Sequence, residues 1–167
     1  MGLKFKAPGA EVTVQLFEEP VRDDAQTDEE WLEACSEWAS RKDVSVVVRL
    51  VNRSTFRRWA YSHDKIRADN RVAIRELRKK MEPSDNPSLY SDTVILEVAA
   101  DASDALMREV VSAAIVELRG VEVEGYKSEA YRDPKLLPDL VEHCGLLTHV
   151  FAAALRAQNP GRVEVFS

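Results

Sequence analysis

A wide apolar stripe at helical spacing constrains the fold of this chain more than any other feature. Between Ser103 and Leu118, apolar side chains recur three and four residues apart, and Gly120 stands where a helix commonly ends. The pattern predicts an amphipathic helix with one face in a core. Its inward-facing positions are Leu106, Met107, Val110, Val111, Ala114, Ile115 and Leu118.

The N-terminal half contains two further helical patterns. Thr27 and Glu30 have the spacing of a capping box, and the helix that follows is predicted to end at Arg41-Lys42. Ser54 is a plausible N-cap for a basic helix that reaches about Met81. Asn70 interrupts its apolar stripe, so one long helix or two short ones fit the pattern. The run MEPSDNPSLYSD, with two prolines, ends this part of the chain.

Two shorter helices are predicted near the C-terminus. Asp133-Pro134 opens the first, which Gly145 closes, and the second runs from about Leu146 to Gln158. The first helix has Leu136, Leu137, Leu140, Val141 and Cys144 facing inward.

Two segments near the N-terminus have the composition of strands. EVTVQLF (11–17) alternates polar and apolar residues, and VSVVVRLV (44–51) is rich in β-branched residues. They are predicted to pair. The run TVILEVA (93–99) fits a strand or a helix, and continuation into the following helix is preferred. VELRGVEVEGY (116–126) is interpreted as a joint between helical parts.

These elements predict an α+β fold, a mostly helical single domain (1–167) with a small N-terminal β-sheet or hairpin. The expected parts are a strand-helix-strand part (1–52) containing an acidic loop (18–30), a helical part (53–158) and a C-terminal tail (159–167). The tail sequence RVEVFS alternates, and it is expected to add an edge strand or to become ordered on a partner.

The charges of the chain are unevenly distributed. The net charge is -6, yet the segment from Arg49 to Lys80 has eleven Lys or Arg against three acids, a balance of +8. The remainder therefore carries -14. Such asymmetry is typical of an electrostatic interaction face, for which nucleic acid, an acidic protein or another copy of the chain would be a suitable partner.

Catalytic signatures are missing from the sequence, which contains no nucleophile elbow, no phosphate-binding glycine loop and no dinucleotide fingerprint. The best metal candidate is the group Asp139, His143, Cys144 and His149, but Gly145 is expected to separate the two histidines. Cys144 and the adjacent His143 point in different directions around a helix, which disfavours a catalytic thiolate. We expect no catalytic residue, no metal and no cofactor.

The composition also bears on the compartment. Two cysteines are too few for a disulfide framework, and neither a signal peptide nor a long apolar run is present. A soluble, cytoplasmic protein that does not bind a membrane is expected.

Aromatic and arginine residues are the best candidates for partner binding, because both types are enriched in interface hot spots. The alternative for the tryptophans is a place in the core. The arginines around Phe56 and Trp59 would also suit phosphates with a stacked base, although the acidic chain makes nucleic acid an improbable partner. The candidates are Trp31, Trp38, Arg53, Phe56, Arg57, Arg58 and Trp59.

The segment AAIVELRGVEVEGYKSEAYRDPKLLPDLVEHCGLLTHVFAAALRAQ (113–158) resembles tail assembly chaperones of long-tailed bacteriophages. The shared pattern is an apolar helix leading into GV-x-x-x-G, a polar stretch, a leucine-rich helix, a glycine and a final helix rich in alanine and leucine. The first strand, VSVVVRLV and the helix opening with STFRRW extend the similarity to the N-terminal half. The stretch 18–42 departs from the family pattern and resembles an insertion into it.

The resemblance implies a protein of the bacterial host cytoplasm that binds the phage tape measure protein, recruits the tail tube protein and leaves before the virion is complete. Self-association into a homo-oligomer is compatible with this role. Three alternatives remain open: a structural subunit of a phage or phage-like particle, a nucleic-acid-binding module that uses the basic 49–80 segment, and an enzyme.

Overall fold

The computed structural model describes residues 6–82, 86–87, 91 and 94–158. These residues form three β-strands, five α-helices and a 3₁₀ helix at Ser128–Arg132. The predicted class, a mostly helical α+β fold with a small β-sheet, is confirmed, and the sheet is antiparallel. The elements in chain order are β1 (Glu11–Gln15), α1 (Asp28–Arg41), β2 (Ser45–Arg49), α2 (Arg53–Lys80), α3 (Glu97–Ala114), β3 (Ile115–Arg119), α4 (Leu137–His143) and α5 (Leu147–Gln158).

The chain divides into two compact units. The first unit comprises the residues up to Asn52 and those from Val110 onward, and the second comprises Arg53–Glu109. The boundary between them falls within α3.

The sheet of the first unit has the strand order β1-β2-β3, with both pairs antiparallel. The predicted pairing of the first two strands is confirmed, with Val14 opposite Val46 and Val12 opposite Val48. Val46 and Val48 are completely buried, and α5 packs against β1 and β2 while α4 packs against β3. The alternation of side chains along a strand thus places Val46 and Val48 in the core, with Val12 and Val14 part-buried opposite them.

The other face of the sheet is more polar. Val47 is opposite Thr13 on one side and Glu117 on the other. Glu117 accepts hydrogen bonds from Arg119 (3.0 Å) and from Arg132 (3.1 Å). These bonds, chiefly that from Arg119, lower the pKa of the Glu117 carboxyl. The carboxylate therefore stays ionised and joins β3 to the 3₁₀ helix.

Strand β3 corrects the prediction of one helix up to Leu118. Helix α3 ends at Ala114, and Ile115 and Leu118 are both buried in the strand. Residues three apart normally lie on opposite faces of a strand, but Val116 is an extra residue in the ladder, a β-bulge opposite Val47 and Val48. The bulge lets a helix-like spacing of apolar residues occur in a strand.

Gly120 follows β3 and is not a helix C-cap. Its φ is +77°, and a Cβ atom at this position would overlap the carbonyl oxygen of Asp43. Gly125 has a similar φ of +89°, but nothing lies within 4 Å of the place where its Cβ would be. The first glycine is required by both conformation and close approach, and the second by conformation alone.

Replacement of these two glycines separates the two requirements. We expect Gly125→Ala to lower the free energy of unfolding by about 1–2 kcal/mol, the cost of a left-handed alanine. Gly120→Ala should cost roughly 3 kcal/mol or more, because the chain before β2 must also move. Chemical denaturation of both variants measures the difference, and equal losses would contradict the close approach.

In the second unit, α2 is a single helix of 28 residues, which settles the question raised by Asn70. Asn70 is 7% exposed, and its amide makes two hydrogen bonds to the chain before α3. Nδ2 donates to the Val94 carbonyl at 2.8 Å, and Oδ1 accepts from the Leu96 amide at 3.0 Å. Trp59 and Ile74 are buried on the same helix.

These bonds also bear on the preferred helical interpretation of TVILEVA. Residues 94–96 are not helical, and α3 begins at Glu97. The helical prediction was therefore wrong for these residues, because the Val94 carbonyl and the Leu96 amide bond to the Asn70 side chain and not to helical backbone partners. Thr93 lies outside the described residues.

Substitution of Asn70 tests this pair of bonds. Asn70→Ala should lower the free energy of unfolding by roughly 2–4 kcal/mol, since it leaves a carbonyl and an amide without partners. The Leu96 amide should also exchange its hydrogen faster. The control is Asp69→Ala, at an exposed neighbour, with an expected change within about 0.5 kcal/mol. Unchanged exchange at Leu96 in Asn70→Ala would contradict the assignment.

The C-terminal helices agree with the sequence in number but not in every boundary. Helix α4 begins at Leu137 with Pro138 in its first turn, instead of at Asp133-Pro134, and Leu136, predicted to face inward, is 41% exposed. Helix α5 occupies nearly the predicted range and ends at Gln158. The predicted tail strand RVEVFS lies outside the described residues.

Candidate partner-binding surfaces

Five of the seven predicted binding residues lie in the first turns of α2, where they differ in exposure. Arg53, Arg57 and Arg58 are exposed, Phe56 is part-buried and Trp59 is 1% exposed. The arginines and the tryptophan that the sequence grouped into one binding site therefore do not share an exposed surface. Arginines lie on the surface, and the Trp59 ring lies inside the second unit.

Glu109 on α3 explains this arrangement. Its Oε1 atom lies 2.7 Å from Nη2 of Arg58 and accepts a hydrogen bond of 3.3 Å from Nε1 of Trp59. One carboxylate oxygen thus satisfies the buried indole and engages the neighbouring guanidinium. In this conformation the Trp59 ring is not exposed for stacking on a base, which removes one element of the nucleic-acid hypothesis.

The other two predicted residues, Trp31 and Trp38, lie on α1 in the first unit. Both are part-buried, and α1 contains no fully buried residue. The Lys42 ammonium lies 6.0 Å from the centre of the Trp38 ring. Leu32 projects beside this stripe and is 66% exposed. An apolar stripe with incomplete cover is a typical feature of a protein-binding helix.

Acidic residues border this stripe. The predicted capping box is confirmed: Thr27 Oγ1 accepts from the Glu30 amide at 3.3 Å, and the Glu30 carboxylate accepts from the Thr27 amide at 2.9 Å. Asp28 and Glu29 join Glu30 in the first turn, where the helix dipole favours negative charge. The surface of α1 therefore combines tryptophan and leucine with carboxylates.

Sequence reasoning missed two features of these surfaces. Glu109 gave no local signal, because its contacts with Trp59 and Arg58 lie about 50 residues away in the chain. Arg67, Arg71 and Arg75 are each exposed, and they recur every four residues, so they form a row along α2. The four-residue spacing of these arginines in the sequence is the signal from which the row could have been predicted.

The histidines and Cys144 do not form a metal site or an activated thiol. His143 contacts the ring of Tyr126 at 6.4 Å between centroids, whereas His149 contacts Phe17 at 5.2 Å. Burial raises the pKa of the Cys144 thiol, which reduces its thiolate fraction at neutral pH. Among the described residues, no group of three His, Cys, Asp or Glu is placed to hold a metal ion.

The residues that follow β3 in the chain line an open depression of about 590 Å³. Its lining residues are Glu122–Tyr126, Ser128 and Tyr131, and the Tyr131 hydroxyl accepts a hydrogen bond of 2.7 Å from the Val123 amide. None of the seven predicted binding residues lines it.

Within the described parts of the chain, no helix has both the length and the apolar character needed to cross a membrane. Comparison of the chain with family models, with curated proteins and with solved structures finds no match.

Tryptophan fluorescence tests the placement of the candidate residues. In Trp31→Phe/Trp38→Phe, the remaining emission comes from the buried Trp59, so it should be shifted to the blue and resist quenching by iodide. In Trp59→Phe, emission comes from the part-buried pair and should be quenched more strongly. Equal quenching of the two variants would contradict the burial of Trp59.

Proposed function

We propose that the protein is a non-catalytic tail assembly chaperone of a long-tailed bacteriophage. In the cytoplasm of the bacterial host it binds the tape measure protein, keeps that protein soluble and aids assembly of the tail tube. The sequence pattern of residues 113–158 and the surface of α1 support this proposal.

The segment that resembles the chaperones forms a contiguous stretch of the first unit. It runs from the end of α3 through β3, the 3₁₀ helix and α4 to α5. Where the resemblance implies a helix before GV-x-x-x-G, this chain has the strand β3. The leucine-rich helix, which begins at Leu137, and the final helix follow in the expected order, with Leu137, Leu140, Val150 and Phe151 buried. In this chain, the leucine and alanine pattern therefore serves the packing of its own core.

The observation that carries the proposal is the incompletely covered stripe of α1. Trp31 and Trp38 are part-buried, Leu32 is mostly exposed, and carboxylates flank them. A chaperone for a long helical partner needs apolar contact area that charge keeps soluble, and an amphipathic helix binds such a surface through apolar residues at helical spacing. Carboxylates at the border would favour a partner helix with Lys or Arg beside its apolar face.

Co-expression with the tape measure protein encoded near this chain tests the proposal. We expect a soluble complex that can be purified through a tag on either protein. Leu32→Ser should reduce the recovered tape measure protein severalfold with little loss of stability, because Leu32 is 66% exposed in the isolated chain. Trp31→Ala and Trp38→Ala should reduce it further, with thermal unfolding as a check on their fold.

The matched control is Val21→Ser, at a residue that is 89% exposed in the acidic loop, and it should leave the complex unchanged. Failure to keep any tail protein soluble would contradict the proposal. Recovery of this chain from purified particles would favour a structural subunit over a chaperone that departs.

A further inference from the structure

Helix α1 presents a second surface, in which an exposed leucine lies beside two glutamates. Leu32 lies beside Glu29 and Glu33, which are one helical turn apart, and all three side chains are exposed. Among the described residues, neither glutamate takes part in an ion pair. We call these three residues the acidic patch.

Helix α2 presents the same arrangement with the charges reversed. Val72 is 55% exposed and lies beside Arg71 and Arg75, which are also one turn apart and exposed. Val72 follows the first of its two charges in the chain, whereas Leu32 precedes the second of its own. Neither arginine has an ion-pair partner among the described residues. We call these three residues the basic patch. Each patch is an aliphatic side chain beside two like charges that are four residues apart.

We propose that the basic patch of one molecule binds the acidic patch of a second copy of this chain. The arrangement would place Leu32 of one copy against Val72 of the other. Glu29 and Glu33 would then lie near Arg71 and Arg75, with opposite charges in matching positions along two helices. The apolar contact excludes water from the centre of the interface, and the charges fix its register.

Charge complementarity identifies the occupant as another copy. Residues 18–37, which contain the acidic patch, have nine acids and one arginine, whereas α2 has ten Lys or Arg and three acids. The chain therefore carries two segments of nearly equal and opposite charge. A nucleic acid would meet the same arginines, but the remaining strongly acidic surface of the chain would repel its phosphates.

Each copy offers one patch of each kind. The contact therefore either closes a dimer or a larger ring, or continues into an open chain of molecules. Exposed ion pairs contribute little individually and are screened by salt, so the association should be moderate and ionic. It does not depend on the identity of any tail protein, and it can fail or hold independently of the proposed chaperone function.

Sedimentation of the full chain over a range of concentrations tests the contact. We expect association at about 0.05 M salt that weakens at least about tenfold at about 0.5 M salt. Arg71→Glu/Arg75→Glu and Glu29→Lys/Glu33→Lys should each be monomeric at concentrations where the natural chain associates. Circular dichroism and thermal unfolding establish that both variants are folded.

Mixing the two variants is the decisive step. Each retains one natural patch and carries one reversed patch, so the mixture should form a complex with equal amounts of the two proteins although neither associates alone. The control is Lys127→Glu/Lys135→Glu, an equal change of charge at two exposed lysines outside both patches. This control should still associate with itself.

A monomeric natural chain at low salt would overturn the proposal. So would association that salt or either pair of substitutions leaves unchanged, since another surface would then be responsible. Failure of the mixed variants to associate would show that the two patches do not bind each other. Salt-sensitive binding of an unrelated DNA duplex that Arg71→Glu/Arg75→Glu abolishes, together with a monomeric natural chain, would assign the basic patch to nucleic acid.

Discussion

The bonding of strand β2 along both edges organises the first unit. β1 supplies hydrogen-bond partners along one edge of β2, and β3 supplies them along the other. Because β2 has buried residues on both faces, its backbone groups need these partners, and few are left without one. Beyond Ile115, the first residue of β3, which pairs with Val48, the Gln158 side chain continues the edge. Its amide donates to the Arg49 carbonyl at 2.9 Å and accepts from the Val51 amide at 2.9 Å. The last residue of α5 is thereby joined to the end of β2.

In the second unit, too, a side-chain amide bonds to the backbone of an extended segment. Asn70 donates to a carbonyl and accepts from the amide two residues later, as Gln158 does, although one lies in mid-helix and the other at a helix end. A side-chain amide can replace a neighbouring strand in this way because it carries the same donor and acceptor groups as the backbone. In both units, a side chain of a helix thus bonds to an extended segment along an edge that no described strand pairs at that point.

The parts of the fold that depend on neighbouring residues could be predicted from the sequence. The Thr27 capping box, the pairing of β1 with β2 and the extent of α5 follow from short-range patterns. Strand β3 could not be predicted because Ile115 and Leu118 have helical spacing, and only pairing with β2 creates the bulge that buries both. Tertiary context overrode the local pattern there. Likewise, Asn70 resembled an interruption until its partners at Val94 and Leu96 were known.

The candidate surfaces likewise combine features that depend on neighbouring residues with features that depend on distant ones. Sequence alone placed the tryptophans on helices but did not give their burial. Trp59 is interior, where Glu109 accepts the hydrogen bond of its indole, whereas Trp31 and Trp38 on α1 are only part-buried. Burial depends on what covers a residue, and covering elements are distant in the chain. Exposed charge is easier to predict, because residues four apart on a helix share a face whatever packs behind them.

Helix α1 has a part in both proposals, and its geometry relates them. Leu32 lies 100° around the helix from Trp31, between the tryptophan stripe and the glutamates of the acidic patch. A partner helix on the stripe and a second copy on the acidic patch would both contact Leu32. The two proposed interactions should therefore compete, because one exposed leucine cannot be covered twice. Self-association would then cover part of the apolar surface while no ligand is bound, and a tape measure helix would have to displace the second copy in order to bind.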